Sequence, residues 1–271
     1  MGEWRRGFLT VLNVGVVLVF VAIVAVASAA WTTVRLGNLV LKVDGKLFPA
    51  ALPADEFAPS WFRTQGHIAT VDGAHPPAVR EAVAYVDRDS TFDAVGLPVC
   101  KGGQLEARDT KSARRVCGDA IVGEGKGAGE IAFPEQPPIL VKSPITLFNG
   151  GVQGGTTTLF AHSFITVPTP AAIVVVFKFR HVKDGRYGMR GVIELPVIAG
   201  GSGSVTDFDF TIKRFYEYRG EKKSYDLAKC PDGHIDLKGM GVFKDEVVDG
   251  VEDGQKTTVS AGLIVPCTPK R

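Results

Sequence analysis

The chain has 271 residues, enough for one large domain or two small ones with a sizeable core. Hydrophobic residues make up 45% and charged residues 22%, which excludes a wholly disordered chain. With 31 basic and 29 acidic side chains, the net charge of +2 gives no electrostatic basis for nucleic acid as a partner.

The N-terminus carries an export pattern. Arg5 and Arg6 are followed by an uncharged run from Gly7 to Val34, almost wholly apolar between Val14 and Ala27. A basic start, an apolar stretch and the small residues Ala27 and Ala29 predict a signal peptide over residues 1–29, cut after Ala29. The uncharged run is also long enough to span a bilayer, so a retained signal anchor is the alternative. In that case the membrane is a partner through this segment. Arg5-Arg6-Gly7-Phe8-Leu9 resembles the twin-arginine export motif, from which Trp4 and Thr10 depart. Either way the remainder is exported, secreted or held on the outer face of the cytoplasmic membrane.

Residues 35–271 are the exported domain, with a candidate subdomain break near 134–150, where prolines and then glycines cluster. Strand signals dominate it. Phe208, Phe210 and Ile212 share one face of an alternating run, as do Ile173, Val175, Phe177 and Phe179 of another. Asp184-Gly185 between two such runs is a hairpin turn. Further Asp-Gly pairs start at Asp44, Asp72, Asp232, Asp249 and Asp253, and Asn149-Gly150 adds another turn signal. One short helix fits Thr110 to Cys117. The predicted fold is all-β, an antiparallel sandwich of immunoglobulin-like or jelly-roll-like form, preceded by the N-terminal hydrophobic helix.

Cys100, Cys117, Cys230 and Cys267 form an even set in an exported chain, which predicts disulfides. Chain order suggests Cys100–Cys117 and Cys230–Cys267, since each closes a modest loop. In the loop-entropy picture these contribute about 3 and about 4 kcal/mol. Zinc spacing is absent, and no metal or cofactor is implied.

No complete catalytic motif is present. Gly123 to Gly129 lacks phosphate-loop spacing and reads as turns and bulges between strands. Gly201-Ser202-Gly203 lacks the spacing of a nucleophile elbow. His162, between Phe160 and Phe164 on one strand face, is a candidate acid, base or ligand residue, with a hydrogen-bonded core histidine as the simpler reading. Glu194 interrupts an apolar strand and reads as outward-facing. The acidic run holding Asp249 and Asp253 is a candidate calcium site that does not match an EF-hand. Phe215, Tyr216 and Tyr218 beside Lys213, Arg214 and Arg219 could stack on sugars, or simply pack one strand face.

The segments Leu97 to Cys100, Cys117 to Gly123, Phe148 to Gly151 and Arg186 to Gly188 resemble a group of exported bacterial β-rich proteins with no attached activity. That resemblance implies export and nothing about mechanism. The expected function is non-enzymatic binding or a structural role in the cell envelope or outside the cell, with an envelope glycan or protein as partner. The alternatives are a hydrolase of cell-wall glycan or lipid, and a carrier of a small apolar ligand with its pocket between the sheets.

Overall fold

The computed structural model describes residues 31–244 and 256–270. The signal segment, with Ala27 and Ala29, and the acidic run, with Asp249 and Asp253, lie outside the described residues. Among those described, no helix is long and apolar enough to cross a membrane.

The chain is all-β. The first strands are β1 (Thr32–Leu36), β2 (Leu39–Phe48), β3 (Ala51–Pro53), β4 (Ala58–Thr70), β5 (Ala78–Asp87) and β6 (Ser90–Phe92). After α1 (Thr110–Cys117) come β7 (Ile121–Phe133), β8 (Gln136–Gln153), β9 (Thr156–Ile165), β10 (Ala171–Asp184), β11 (Tyr187–Glu194) and β12 (Gly203–Ile212). The rest are β13 (Phe215–Tyr218), β14 (Glu221–Ser224), β15 (Asp226–Ala228), β16 (His234–Lys244), β17 (Lys256–Pro266) and β18 (Thr268–Lys270). The one α-helix among the described residues begins where Asp109 caps it, its carboxylate accepting from the Ser112 amide at 2.6 Å.

One antiparallel sheet runs in the order β1-β2-β4-β12-β7-β8-β9-β10-β11-β5-β16-β17. β17 then lies against β1 and β2, so the sheet nearly closes into a barrel. This corrects the expected sandwich of two facing sheets. Alternation in a strand shows that one face is buried, but a sandwich and a curled sheet alternate alike. The curl comes from glycines that carried no hydropathy signal. Gly123 to Gly129 is not a set of turns but the body of β7, with its glycines at every second position. A Cβ on Gly125 would sit 2.2 Å from the Asp209 carbonyl oxygen and 2.5 Å from the Phe210 Cα of β12. Only glycine permits that approach. Gly125→Ala is expected to lower the unfolding free energy by about 3 kcal/mol, at the top of the usual overpacking range. A urea midpoint unchanged from the parent protein would contradict this reading of the curl.

Two other turn assignments need correction. Asp44-Gly45 lies inside β2, where a Cβ on Gly45 would meet Leu263 Cδ2 at 2.7 Å and Phe62 Cζ at 2.8 Å. The glycine makes room for β17 to meet β2. Asn149-Gly150 lies inside β8, at a bulge in its pairing with β9. Asp184-Gly185 is the predicted hairpin turn, with Gly185 at φ 58° between β10 and β11. Residues 134–135 are the β7–β8 hairpin turn, and 136–150 belong to β8.

The connections 71–77, 134–135, 166–170 and 195–202 lie together at the upper end. The lower end is plugged. Tyr225, Leu97 and Val122 pack there against Leu147, Leu159 and Ile212. β15 bridges β4 and β6 beneath the barrel. Both cysteine pairs form as expected. Cys100–Cys117 pins the segment carrying α1 onto Phe148, Phe160 and Val174 of the outer sheet face. Cys230–Cys267 lies among Leu47, Leu52, Ile235 and Val265 near the lower end. No free cysteine remains. Disulfides are consistent with an oxidising, exported environment.

Candidate functional site, the barrel interior

The predicted apolar strand faces point inward. Ile173, Val175 and Phe177 of β10 meet Phe208 and Phe210 of β12 across the interior, and they do not fill it. Among the described residues the interior holds an upper apolar cavity of about 280 Å³ and a lower one of about 290 Å³. They adjoin, sharing Ile68, Val79, Ala82, Ile193 and the three rings of Phe177, Phe208 and Phe210.

Those rings form a waist. Phe177 and Phe210 meet edge to face with centroids 6.4 Å apart, and Phe208 leans on Phe210 at 6.0 Å. Phe208 lies across Gly66, where a Cβ would come within 2.3 Å of its ring. Below the waist an aromatic run continues from Phe177 to Phe179, Phe92 and Tyr225. Each ring is placed by strand register, since paired residues on antiparallel strands share a face. Phe177 pairs with Ile193, and Phe179 with Gly191.

The lower cavity ends on Asp226, which is 2% exposed. The Ser60 hydroxyl donates to its Oδ2 at 2.5 Å. Burial pushes the Asp226 carboxyl up to about 7, against the opposing pull of the Ser60 hydrogen bond. The Tyr225 hydroxyl nearby is buried without a partner, and burial raises its titration far above the usual phenol range. Neither residue stood out in the sequence, because Ser224-Tyr225-Asp226 carries no motif and no periodicity.

The other candidates lie elsewhere. His162 is fully buried on the outer face of β9, beneath the α1 segment. Its Nε2 is 2.9 Å from the Arg108 carbonyl, and burial holds its imidazole below the usual histidine range. Glu194 faces outward and pairs with Lys178 at 2.9 Å. Tyr216 donates to the Val95 carbonyl at 2.9 Å and packs against the core, whereas Phe215 is exposed. Lys213 lies over Trp61 at 4.8 Å, and Arg219 over Tyr218 at 5.2 Å. Among the described residues no group of His, Cys, Asp and Glu could hold a metal ion.

One constellation escaped the sequence because its members lie in three distant segments. His75 Nδ1 is 3.2 Å from Glu130 Oε2, and its Nε2 is 3.1 Å from Ser204 Oγ. The order is that of a serine–histidine–carboxylate relay. Register places Ser204 opposite Glu130 on the outer face, while Val205 pairs with Gly129 on the inner one. Ser204 is 3% exposed and donates to the Pro76 carbonyl at 2.6 Å. Its hydroxyl therefore ties down the 71–77 connection at the rim, where Ser204 and Glu130 border the upper cavity.

The fold and interior define a class: a small, plugged, nearly closed antiparallel barrel with an apolar lumen. No family model matches the chain, and no curated protein or solved structure is significantly similar to it.

Proposed function

We propose that this protein is a non-enzymatic binding protein of the bacterial cell envelope or exterior, secreted or anchored on the outer face of the cytoplasmic membrane, that carries a small apolar ligand in the barrel. The observation that carries this reading is the pair of adjoining apolar cavities. Protein interiors are close-packed, with few voids larger than a water molecule. Apolar walls around so much unfilled space gain contacts when an apolar occupant fills it. The plugged lower end and the export pattern support a carrier over a channel.

The test is direct. Organic extraction of the native protein, followed by mass spectrometry, is expected to release a stoichiometric apolar molecule. The emptied protein is then expected to bind the neutral dye N-phenyl-1-naphthylamine with enhanced, blue-shifted fluorescence. Ala161 is buried and lines the upper cavity. Ala161→Trp fills that space and is expected to weaken dye binding roughly tenfold or more, about 1.4 kcal/mol. An empty extract together with no dye binding would remove the carrier reading.

A further inference from the structure

Besides the hydroxyls of Thr64 and Ser90, the inner wall of the lower cavity carries one carboxyl, that of Asp226. Three ionisable residues border this cavity: Tyr85, Asp226 and Lys238. Tyr85 and Lys238 are register partners, and the Lys238 ammonium lies over the Tyr85 ring at 5.7 Å. Their neighbours Ala84 and Gly239 take the inner face, so this pair belongs to the outer one. Asp226 is different. It pairs with Ser60, which shares the inner parity of Phe62 and Thr64, and with Phe92, which lines the cavity. Ser60 satisfies Oδ2 at 2.5 Å. Among the described residues no hydrogen bond reaches Oδ1, and Oδ1 is not one of their fully enclosed unpaired oxygens.

We propose that the barrel's occupant is a long-chain alcohol or similar amphiphile, whose hydroxyl seats on Asp226 Oδ1 and whose tail runs up past Phe177, Phe208 and Phe210. The proposal rests on the apolar-ligand reading above and adds the head group. A hydroxyl both donates and accepts, so it matches the carboxyl in either protonation state. A charged head group would leave water for a site with a single carboxyl and a few hydroxyls, too few partners to offset its desolvation. The apolar walls then accept only a hydrocarbon tail.

The experiment displaces bound N-phenyl-1-naphthylamine from the full-length exported protein with dodecan-1-ol, dodecane and dodecylamine. The readout is the ratio of alcohol to alkane potency, compared between the parent protein and its variants. This ratio is expected to fall roughly fivefold in Asp226→Leu, the scale of one buried hydrogen bond. It is expected to fall in Ser60→Ala as well, and to survive in Asp226→Asn, which keeps a donor and an acceptor. Should Asp226→Leu not fold, Ser60→Ala and Asp226→Asn carry the comparison. An unchanged ratio in Asp226→Leu and Ser60→Ala overturns the proposal, as does dodecylamine displacing best. Where dye and alkane bind but the ratio never moves, only the head-group assignment fails. Where nothing binds, the carrier reading itself fails.

Discussion

Arg186→Ala is expected to lower the unfolding free energy by about 3–5 kcal/mol, the cost of leaving a buried charge without its partner. Arg186 occupies the β10–β11 turn and reaches across the lower end of the barrel. Its Nε donates to Asp87 Oδ2 at 2.7 Å, and Asp87 is fully buried. The same guanidinium donates to the His234 carbonyl at 2.8 Å and pairs with both oxygens of Asp232. Asp87 also accepts the amides of Asp89 and Asp236. One cation therefore fastens the end of β5 and the start of β16 to the β10–β11 hairpin. Removing it leaves Asp87 with two backbone donors and no countercharge. Arg186→Lys is expected to rescue little, because one ammonium cannot reproduce the fork that holds three acceptors. Asp232→Ala is the internal control. Asp232 is partly exposed, and surface pairs contribute about 1 kcal/mol or less. The Arg186 pairing holds the Asp232 carboxyl down at about 2, so its contribution is present above the ordinary carboxylate range. That contribution is lost as pH falls through about 2. Urea unfolding at neutral pH separates the variants. Equal midpoints for Arg186→Ala and Asp232→Ala would mean that Asp87 is not the buried partner that matters.

What could be read from the residues, and what could not, follows a physical division. Phe208-x-Phe210-x-Ile212 and the β10 run showed their inner faces because apolar alternation is local and has the period of the strand. Asp184-Gly185, the short helix over Thr110 to Cys117 and the nearest-neighbour disulfides are likewise short-range devices. Closure of the sheet was not legible. It depends on β17 meeting β1 and β2, strands more than 200 residues away in the chain. A signal did exist in β7: glycines at positions 123, 125, 127 and 129 keep the period of a strand, not of a turn. They read as turns because glycine contributes no hydropathy and is the usual residue of turns. His75, Glu130 and Ser204 meet only through register, so spacing in the sequence says nothing of them. Asp226 was hidden for the same reason. Its importance comes from the cavity above it, which no residue of its own segment encodes.

Closure also explains how aromatic content and empty space coexist. In a sandwich, the rings of β10 and β12 would interdigitate with an opposite sheet and fill the core. In a barrel of this many strands the walls stand farther apart, because diameter grows with strand number. Glycines facing the rings sharpen the effect. Phe179 folds over Gly191, and Phe208 over Gly66, so both rings lie along the wall. The aromatic surface lines the lumen without plugging it. The plug is delegated to short segments at the lower end, β6 and β13 to β15, which explains why a polar group can reach the cavity floor.

The parent protein is expected to lose stability between about pH 4 and pH 7, and Asp226→Asn is expected to abolish most of that loss. Burial raises the Asp226 carboxyl to about 7 in the folded state, against about 3.9 for an aspartate in the unfolded chain. A raised folded value means that its favourable contribution is complete below the unfolded value. It is lost as pH rises through about 7. Across that window the native state holds a proton that the unfolded state has released, so each pH unit removes about 1.4 kcal/mol. The full loss is on the order of 4 kcal/mol, an upper bound because water entering the cavity would ease the charge. Asp226→Asn cannot ionise. The variant should match the parent near pH 4 and exceed its stability above pH 7, with a flatter profile between. Of the groups around Asp226, Ser60 is neutral and Tyr225 stays protonated throughout this range, so neither substitutes for it. The same proton links to the ligand. A bound alkyl chain drives water from the lower cavity and disfavours the carboxylate further, so affinity for dodecan-1-ol should weaken above pH 7 in the parent and not in Asp226→Asn. Unfolding midpoints and dye displacement at pH 5 and pH 9 measure both effects. Parallel pH profiles for parent and variant would show that Asp226 is not the buried acid on the cavity floor.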